Sequence, residues 1–269
     1  MNIIKRFNYN SICFMKNKHS ITDIWEHIIS MNKIDLTKYI QVIHSSQIKK
    51  SRKTWNGKDN QFEPRLLCKM DTSFSRPKIF KENNISMFSL KNGVYALIKE
   101  DIYVHLNTYY IAPMKIEDKT NSLLLKIGNS ESTMLDKLYY NHILNDIIGE
   151  KIIYGPFLIG RHRCNFDTII GSTLIKIRGC QYETDGCYET NNYICIIEAK
   201  TVKCKDFNIR QLYFPFREVY KIIENKKKII CLFIYKDKKD NSIHIYKYKW
   251  NDYKRMLDIE NIGYYKYYL

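Results

Sequence analysis

Apolar residues at Ile21, Ile24, Trp25, Ile28 and Ile29 recur at helical spacing behind Ser20. Ile21–Met31 therefore reads as an amphipathic helix with a serine N-cap. The same spacing predicts a second helix through Ile34–Ile43 and a short third one from Ser45 to Lys50. Three close helices followed by Lys49, Lys50, Arg52 and Lys53 are compatible with a helix-turn-helix-like reader of DNA, and equally with plain packing. Glu63 to Asp71 is a charged segment running toward the Arg76-Pro77 turn, and Val94–Ile98 with Ile102–Leu106 reads as a strand pair.

From Ser130 the period changes. Met134, Leu135, Leu138, Ile143, Leu144, Ile147 and Ile148 give Glu131–Ile148 one helical apolar face. Thr168–Ile177, Gln181–Glu189 and Tyr193–Ala199 are β-rich, Asn208–Ile223 is helical, and Lys228–Tyr235 and Ser242–Tyr248 are strands again. No repeat or Pro/Gly/Ser-rich linker interrupts this order. The fold class expected is α/β (α+β), a mixed β-sheet core flanked by helices. A smaller, mainly helical N-terminal module is expected over 1–115 and the sheet domain over 116–269.

Composition narrows the partners. Forty-four Lys and Arg against 28 Asp and Glu leave a formal net charge of +16, which suits a polyanion such as nucleic acid. A compositional bias toward Ile, Lys, Asn and Tyr produces the same excess without any such partner. Apolar runs such as Ile229–Tyr235 are far shorter than a membrane span needs, and Met1–Met15 carries no continuous apolar segment, so no membrane partner and a cytoplasmic location are expected. The 8 cysteines include no Cys-x-x-Cys pair, which argues against structural zinc and for small buried thiols. The tyrosines near the C-terminus, from Tyr246 to Tyr268, suit packing better than base stacking.

Chemistry concentrates on two consecutive strands. If Thr190 and Asn191 form a two-residue hairpin loop, Glu183 falls opposite Glu198, and Asp185 and Lys200 share that face. Carboxylates that would otherwise repel one another gain from a divalent cation, and hard oxygen ligands suit Mg²⁺. An acid and a lysine two apart on a strand are common by chance. Here, however, Glu198 and Lys200 end an apolar run, Tyr193–Ile197, with both faces fit for burial, where an unpaired charge is costly.

Asp185, Glu198 and Lys200 match the Asp…Glu-x-Lys motif, and on them the chain resembles the PD-(D/E)XK nucleases, in particular type II restriction endonucleases. Thr184 stands where the name-giving proline would be. The longer run Gln181–Arg217, with Glu183-Thr184-Asp185-Gly186 and Ile197-Glu198-Ala199-Lys200, carries the resemblance, and Glu63–Asp71 extends it toward the N-terminus. The resemblance implies a restriction-endonuclease-like fold, Mg²⁺-dependent and sequence-specific hydrolysis of double-stranded DNA, a homodimer, and a companion DNA methyltransferase. It implies that Asp185, Glu198, Glu183 and Glu131 serve the metal, with Asp136 as the competitor of Glu131. Gln211 then faces the site or merely caps its helix, and Arg210 and Arg217 clamp phosphates or lie on an exposed helix face. A repair or structure-specific nuclease of the same superfamily and a non-catalytic DNA-binding protein are the alternatives.

Overall fold

In the computed structural model, residues 20–56, 62–107, 109, 112–117, 122–126 and 128–268 are described. Met1–Met15 and Cys13 lie outside them. Helix α1 (Ile21–Asn32) forms where the periodicity places it. Ser20 Oγ accepts from the amide of Asp23, and the Asp23 carboxylate accepts from the amide of Ser20 in return. This reciprocal cap satisfies two amides that the first helical turn leaves without partners. Ile24, Trp25 and Ile28 are fully buried, and Trp25 packs on Phe80 with ring centroids 4.8 Å apart.

The helix expected over Ile34–Ile43 does not form. Asp35 Oδ1 accepts from the amide and hydroxyl of Thr37, a local turn that competes with helix. The β-branched Ile40, Val42 and Ile43 then enter strand β1 (Ile40–His44). Because β1 separates α1 from α2 (Ser45–Ser51), the helix-turn-helix arrangement is absent there. The N-terminal part is mixed rather than mainly helical: α3 (Pro64–Leu67) and α4 (Lys78–Glu82) precede β2 (Ser86–Lys91) and β3 (Val94–Ile98).

The expected pairing of Val94–Ile98 with Ile102–Leu106 is replaced by two others. Strand β3 lies between β1 and β2, and β4 (Tyr103–His105) pairs antiparallel with β10 (Asp206–Asn208). The single strand expected over Thr168–Ile177 is a hairpin, because Gly171 adopts φ +57 and turns the chain between β6 (His162–Ile170) and β7 (Thr173–Tyr182). Strands β1, β3, β2, β7 and β6 form one five-stranded sheet in that order, with Lys91 of β2 facing Arg178 of β7. This sheet crosses the boundary expected at residue 115.

A second sheet has six strands in the order β5 (Met114–Lys115), β13 (Ile259–Tyr268), β12 (Ser242–Trp250), β11 (Lys228–Asp237), β9 (Tyr193–Lys200) and β8 (Gly186–Glu189). Strands β9 and β11 run parallel and are joined through α7 (Arg210–Ile223), while β8 is antiparallel to β9. Leu212, Tyr213, Phe214, Phe216 and Val219 of α7 are buried in one cluster with Ile194 and Ile196 of β9. Each large apolar side chain buried this way contributes roughly 1.5–3 kcal/mol.

The other face of β9 presents Cys195, Ile197 and Ala199 to α5 (Glu131–Tyr140) and α6 (Ile143–Ile148). These two helices replace the one expected over Glu131–Ile148, since His142 takes φ 63 and the Asn141 side chain bonds back to the Lys137 carbonyl. The fold is thus mixed α+β, with β9 covered by helices on both faces. Tyr246, Tyr248 and Trp250 belong to its core. No described helix is long and apolar enough to cross a membrane, and all seven described cysteines are free.

Candidate active site

Buried on both faces, β9 must end where its sequence turns polar, and Glu198 and Lys200 stand at that end. The register of β8 on β9 pairs Gly186 with Ile197 and Cys187 with Ile196. The amide of Asp185 donates to Ile197 O at 3.1 Å, so the next residue in line opposite Glu198 is Asp185. The expected pairing of Glu183 with Glu198 is corrected by two residues, because the hairpin loop is Asn191-Asn192. Thr190 is still paired, its amide donating to Tyr193 O at 2.9 Å, and the Glu150 carboxylate clamps Thr190 and Asn192 from outside the hairpin. Glu183 instead accepts from Arg161 Nε and Gln181 Nε2, each at 3.0 Å, on the surface.

The groups that do converge come from four elements. Asp185 Oδ2 accepts from the amide of Ala199 at 2.7 Å. Glu198 Oε1 accepts from Lys200 Nζ and, at 2.7 Å, from Gln211 Nε2 on the first turn of α7. Lys200 Nζ also donates to Ala199 O at 3.0 Å. Glu131, at the N-terminus of α5, receives the amide of Thr201, and its charge acts on both Glu198 and Lys200. Pro215, four residues past Gln211, has no backbone donor, so the Gln211 carbonyl loses its helical partner.

The electrostatics follow from burial. Glu198 is 8% exposed. Desolvation pushes its carboxyl up to about 7; Lys200 pulls it down, and Asp185 and Glu131 push it up further. Glu131 is also raised, by burial first, against the opposing charge of Lys200. Burial disfavours the Lys200 ammonium, yet Glu198, Asp185 and Glu131 outweigh it and raise its pKa, so Lys200 is a fixed cation at neutral pH. Cys204 lies close enough for these charges to act on it, but burial pushes its thiol up to about 11 and keeps it protonated.

The two arginines part company. Arg210 is one-quarter exposed and meets Asp71 at 3.4 Å. Arg217 is buried: Nη1 donates to Asp167 O at 2.7 Å and to Tyr213 Oη at 3.0 Å, and the guanidinium packs on Phe166 and Tyr253 at 4.8 and 5.3 Å. Both readings made from its sequence position, a phosphate clamp and an exposed helix face, give way to a core contact that caps the edge of β6. Asp136 is raised by burial alone and joins none of these groups.

Apart from Asp71, these residues lie within the match to one family, described as a domain of unknown function (DUF6997), which spans residues 94–268. The chain belongs to that family. A second domain of unknown function, DUF6996, matches residues 22–97, so Asp71 and its neighbours fall in the segment before DUF6997. No curated protein and no solved structure matches the chain.

Two places in the DUF6997 region bring acidic side chains close together. Ligand atoms of Asp237, Asp240 and His244 lie within 4.8 Å of one another. Lys203 and Lys266 already neutralise the two carboxylates at 2.9 and 3.1 Å, and both His244 nitrogens bond hydroxyls, at Ser242 and Tyr264. That set is a satisfied network. At the end of β9 the acids are less compensated. Asp185 Oδ1 and Glu198 Oε2 take no hydrogen bond among the described residues, and Gln211 Oε1 is buried without a partner there. Glu198 and Glu131, both raised by burial and by the charge of Asp185, lie beside an unpaired amide oxygen, a set that fits a hard divalent cation.

Proposed function

We propose that the chain is a Mg²⁺-dependent endodeoxyribonuclease of restriction type, with a restriction-endonuclease-like arrangement around β9. The observation that carries this reading is the convergence of Asp185, Glu198 and Lys200 at one sheet end, with Gln211 holding Glu198 from α7. The end of a parallel strand that feeds a helix is also where open α/β sheets place their ligands.

Asp185 and Glu198, with Glu131 beside them, would hold Mg²⁺, which supplies positive charge to a phosphodiester and favours ionisation of water. Lys200 has a raised pKa, so it acts as an ammonium rather than a base. It offsets negative charge that develops on the phosphate oxygens during in-line attack. The Gln211 side chain orients the Glu198 carboxylate and keeps one of its oxygens turned toward Lys200. The excess of basic residues draws duplex DNA to the surface. Cutting both strands at one site calls for two such centres, hence a symmetric homodimer, and a restriction role calls for a companion methyltransferase.

The test incubates the purified chain with unmodified phage DNA and Mg²⁺, beside Asp185→Ala and Lys200→Ala. Discrete fragments from the parent, none from either variant and none in EDTA are expected, with DNA binding retained. Undiminished cutting by Asp185→Ala would falsify the assignment. Cleavage confined to branched or single-stranded junctions would favour a structure-specific nuclease instead.

A further inference from the structure

Lys69 approaches the site from the other end of the chain. The segment Glu63–Asp71 is fastened to β10 and β4 by its backbone carbonyls. Asn208, almost fully buried, donates its amide to Asp71 O at 2.8 Å and Nδ2 to Met70 O at 3.1 Å. Tyr103 Oη donates to the same Met70 carbonyl at 3.2 Å. Just beyond, the amide of Ser73 donates to Asp206 Oδ1 at 2.7 Å and its hydroxyl to Oδ2. The Met70 carbonyl thereby takes two hydrogen bonds, which fixes where Lys69 starts.

Its ammonium lies 3.4 Å from Asp71 Oδ2, and its charge pulls the Glu131 carboxyl down. The other Asp71 oxygen meets Arg210 Nη2, also at 3.4 Å. Asp71 thus spaces two cations, one from each part of the chain, beside the acids at the end of β9. Packing does not explain Lys69: its side chain is 66% exposed, and an exposed pair of this kind adds about 0–1 kcal/mol. An exposed ammonium beside a candidate phosphodiesterase centre is instead suited to a backbone phosphate oxygen, as a point charge with three donors.

We propose that Lys69 is a phosphate-contacting residue of the candidate site, binding a DNA backbone phosphate next to the one that meets Asp185 and Lys200. The inference rests on the nuclease reading and adds a substrate contact from outside the DUF6997 region. It also gives the segment Glu63–Asp71 a role that the motif residues alone leave open.

The full chain is compared as parent, Lys69→Ala, Lys69→Gln, Lys69→Arg and Asp185→Ala. Binding to a short mixed-sequence duplex is measured in EDTA against salt, and cleavage of phage DNA is measured in Mg²⁺. Losing one phosphate contact lowers the slope of log K on log salt by about 0.9 and weakens binding similarly for all sequences. In cleavage, KM rises roughly fivefold, equivalent to about 1 kcal/mol, and kcat changes less. Lys69→Gln repeats both effects, Lys69→Arg restores the slope, and the melting temperature stays that of the parent. Suppose the parent cuts, Asp185→Ala does not, and both neutral variants keep the parental slope and KM. Then this inference is overturned and the nuclease reading stands. If the parent fails to cut, or Asp185→Ala cuts as well, the reading falls and this contact with it.

Discussion

Gln211 and Lys200 share one oxygen of Glu198, the amide donating at 2.7 Å from the first turn of α7 and the ammonium from the end of the same strand. A hydrogen bond to a charged group contributes about 1.5–3 kcal/mol, so Gln211→Ala is expected to lower kcat about 10- to 100-fold. KM should move little, while loss of the same bond to buried Glu198 should lower the melting temperature by a few degrees. Steady-state cleavage at saturating DNA, with a thermal melt alongside, decides it.

Asp185 and Glu131 both push the Glu198 carboxyl upward, so the metal-free fold carries repulsion that removal of one acid relieves. Asp185→Asn keeps an oxygen for the Ala199 amide and is expected to raise the metal-free melting temperature by about 2–4 °C, equivalent to roughly 1 kcal/mol. The same variant should lose the stabilisation that the parent gains from added Mg²⁺. A parent that melts identically with and without Mg²⁺ speaks against the cation site itself.

The pH dependence has a definite sign. Burial raises Glu198 from its ordinary 4.5 to about 7. Between those values the folded chain binds more protons than the unfolded one, so this group makes stability fall as pH rises. Mg²⁺ held at the proposed site would take the place of the proton, so its stabilising shift should be larger at pH 8 than at pH 5.5. Glu198→Gln should flatten both trends in melts recorded across the range with MgCl₂ and with EDTA.

Arg217 tests whether a cation on α7 serves DNA or the core. Its guanidinium caps the Asp167 carbonyl on the outer edge of β6 and lies against three aromatic rings. Arg217→Ala is expected to cost about 2–4 kcal/mol through lost packing and an uncapped carbonyl. Its salt slope for DNA binding should stay parental, unlike that of Lys69→Ala. Urea unfolding and a salt titration separate the two outcomes.

His244 acts in the opposite pH direction to Glu198. Burial lowers its imidazole from 6.5 to about 4, where hydroxyls of Ser242 and Tyr264 hold both nitrogens. Between those values the unfolded chain takes the proton first, so stability falls as pH drops through this window. The loss amounts to at most about 3 kcal/mol. Comparing the acid limb of parent and His244→Gln melts isolates it.

The residues at the end of β9 were legible because strand chemistry is local. Tyr193–Ile197 is apolar at every position, and the charged pair after it could only lie at a strand end. The hairpin register was not legible, since Glu150, outside the hairpin, decides whether Thr190 is a loop or a ladder residue. Moving the loop by one residue exchanged Glu183 for Asp185 opposite Glu198. Ile34–Ile43 read as helix because its spacing is ambiguous at that length, and pairing with β3 overrode it. Arg217 sits four residues after Tyr213 on the buried stripe of α7, a clue that its residue type concealed. Lys69 carries no periodic signal; only the charged run around it marked the segment.

The pairing of β2 with β7 sets the terms on which this chain could be recombined with its relatives. The two family matches meet at residues 94–97, inside β3, so a crossover there splits an antiparallel ladder. An N-terminal graft must bring a complementary β6–β7 hairpin with it, and a chimera joined after Tyr182 keeps that whole sheet from one parent. A cassette that exchanges the N-terminal part intact is therefore longer than the N-terminal match suggests.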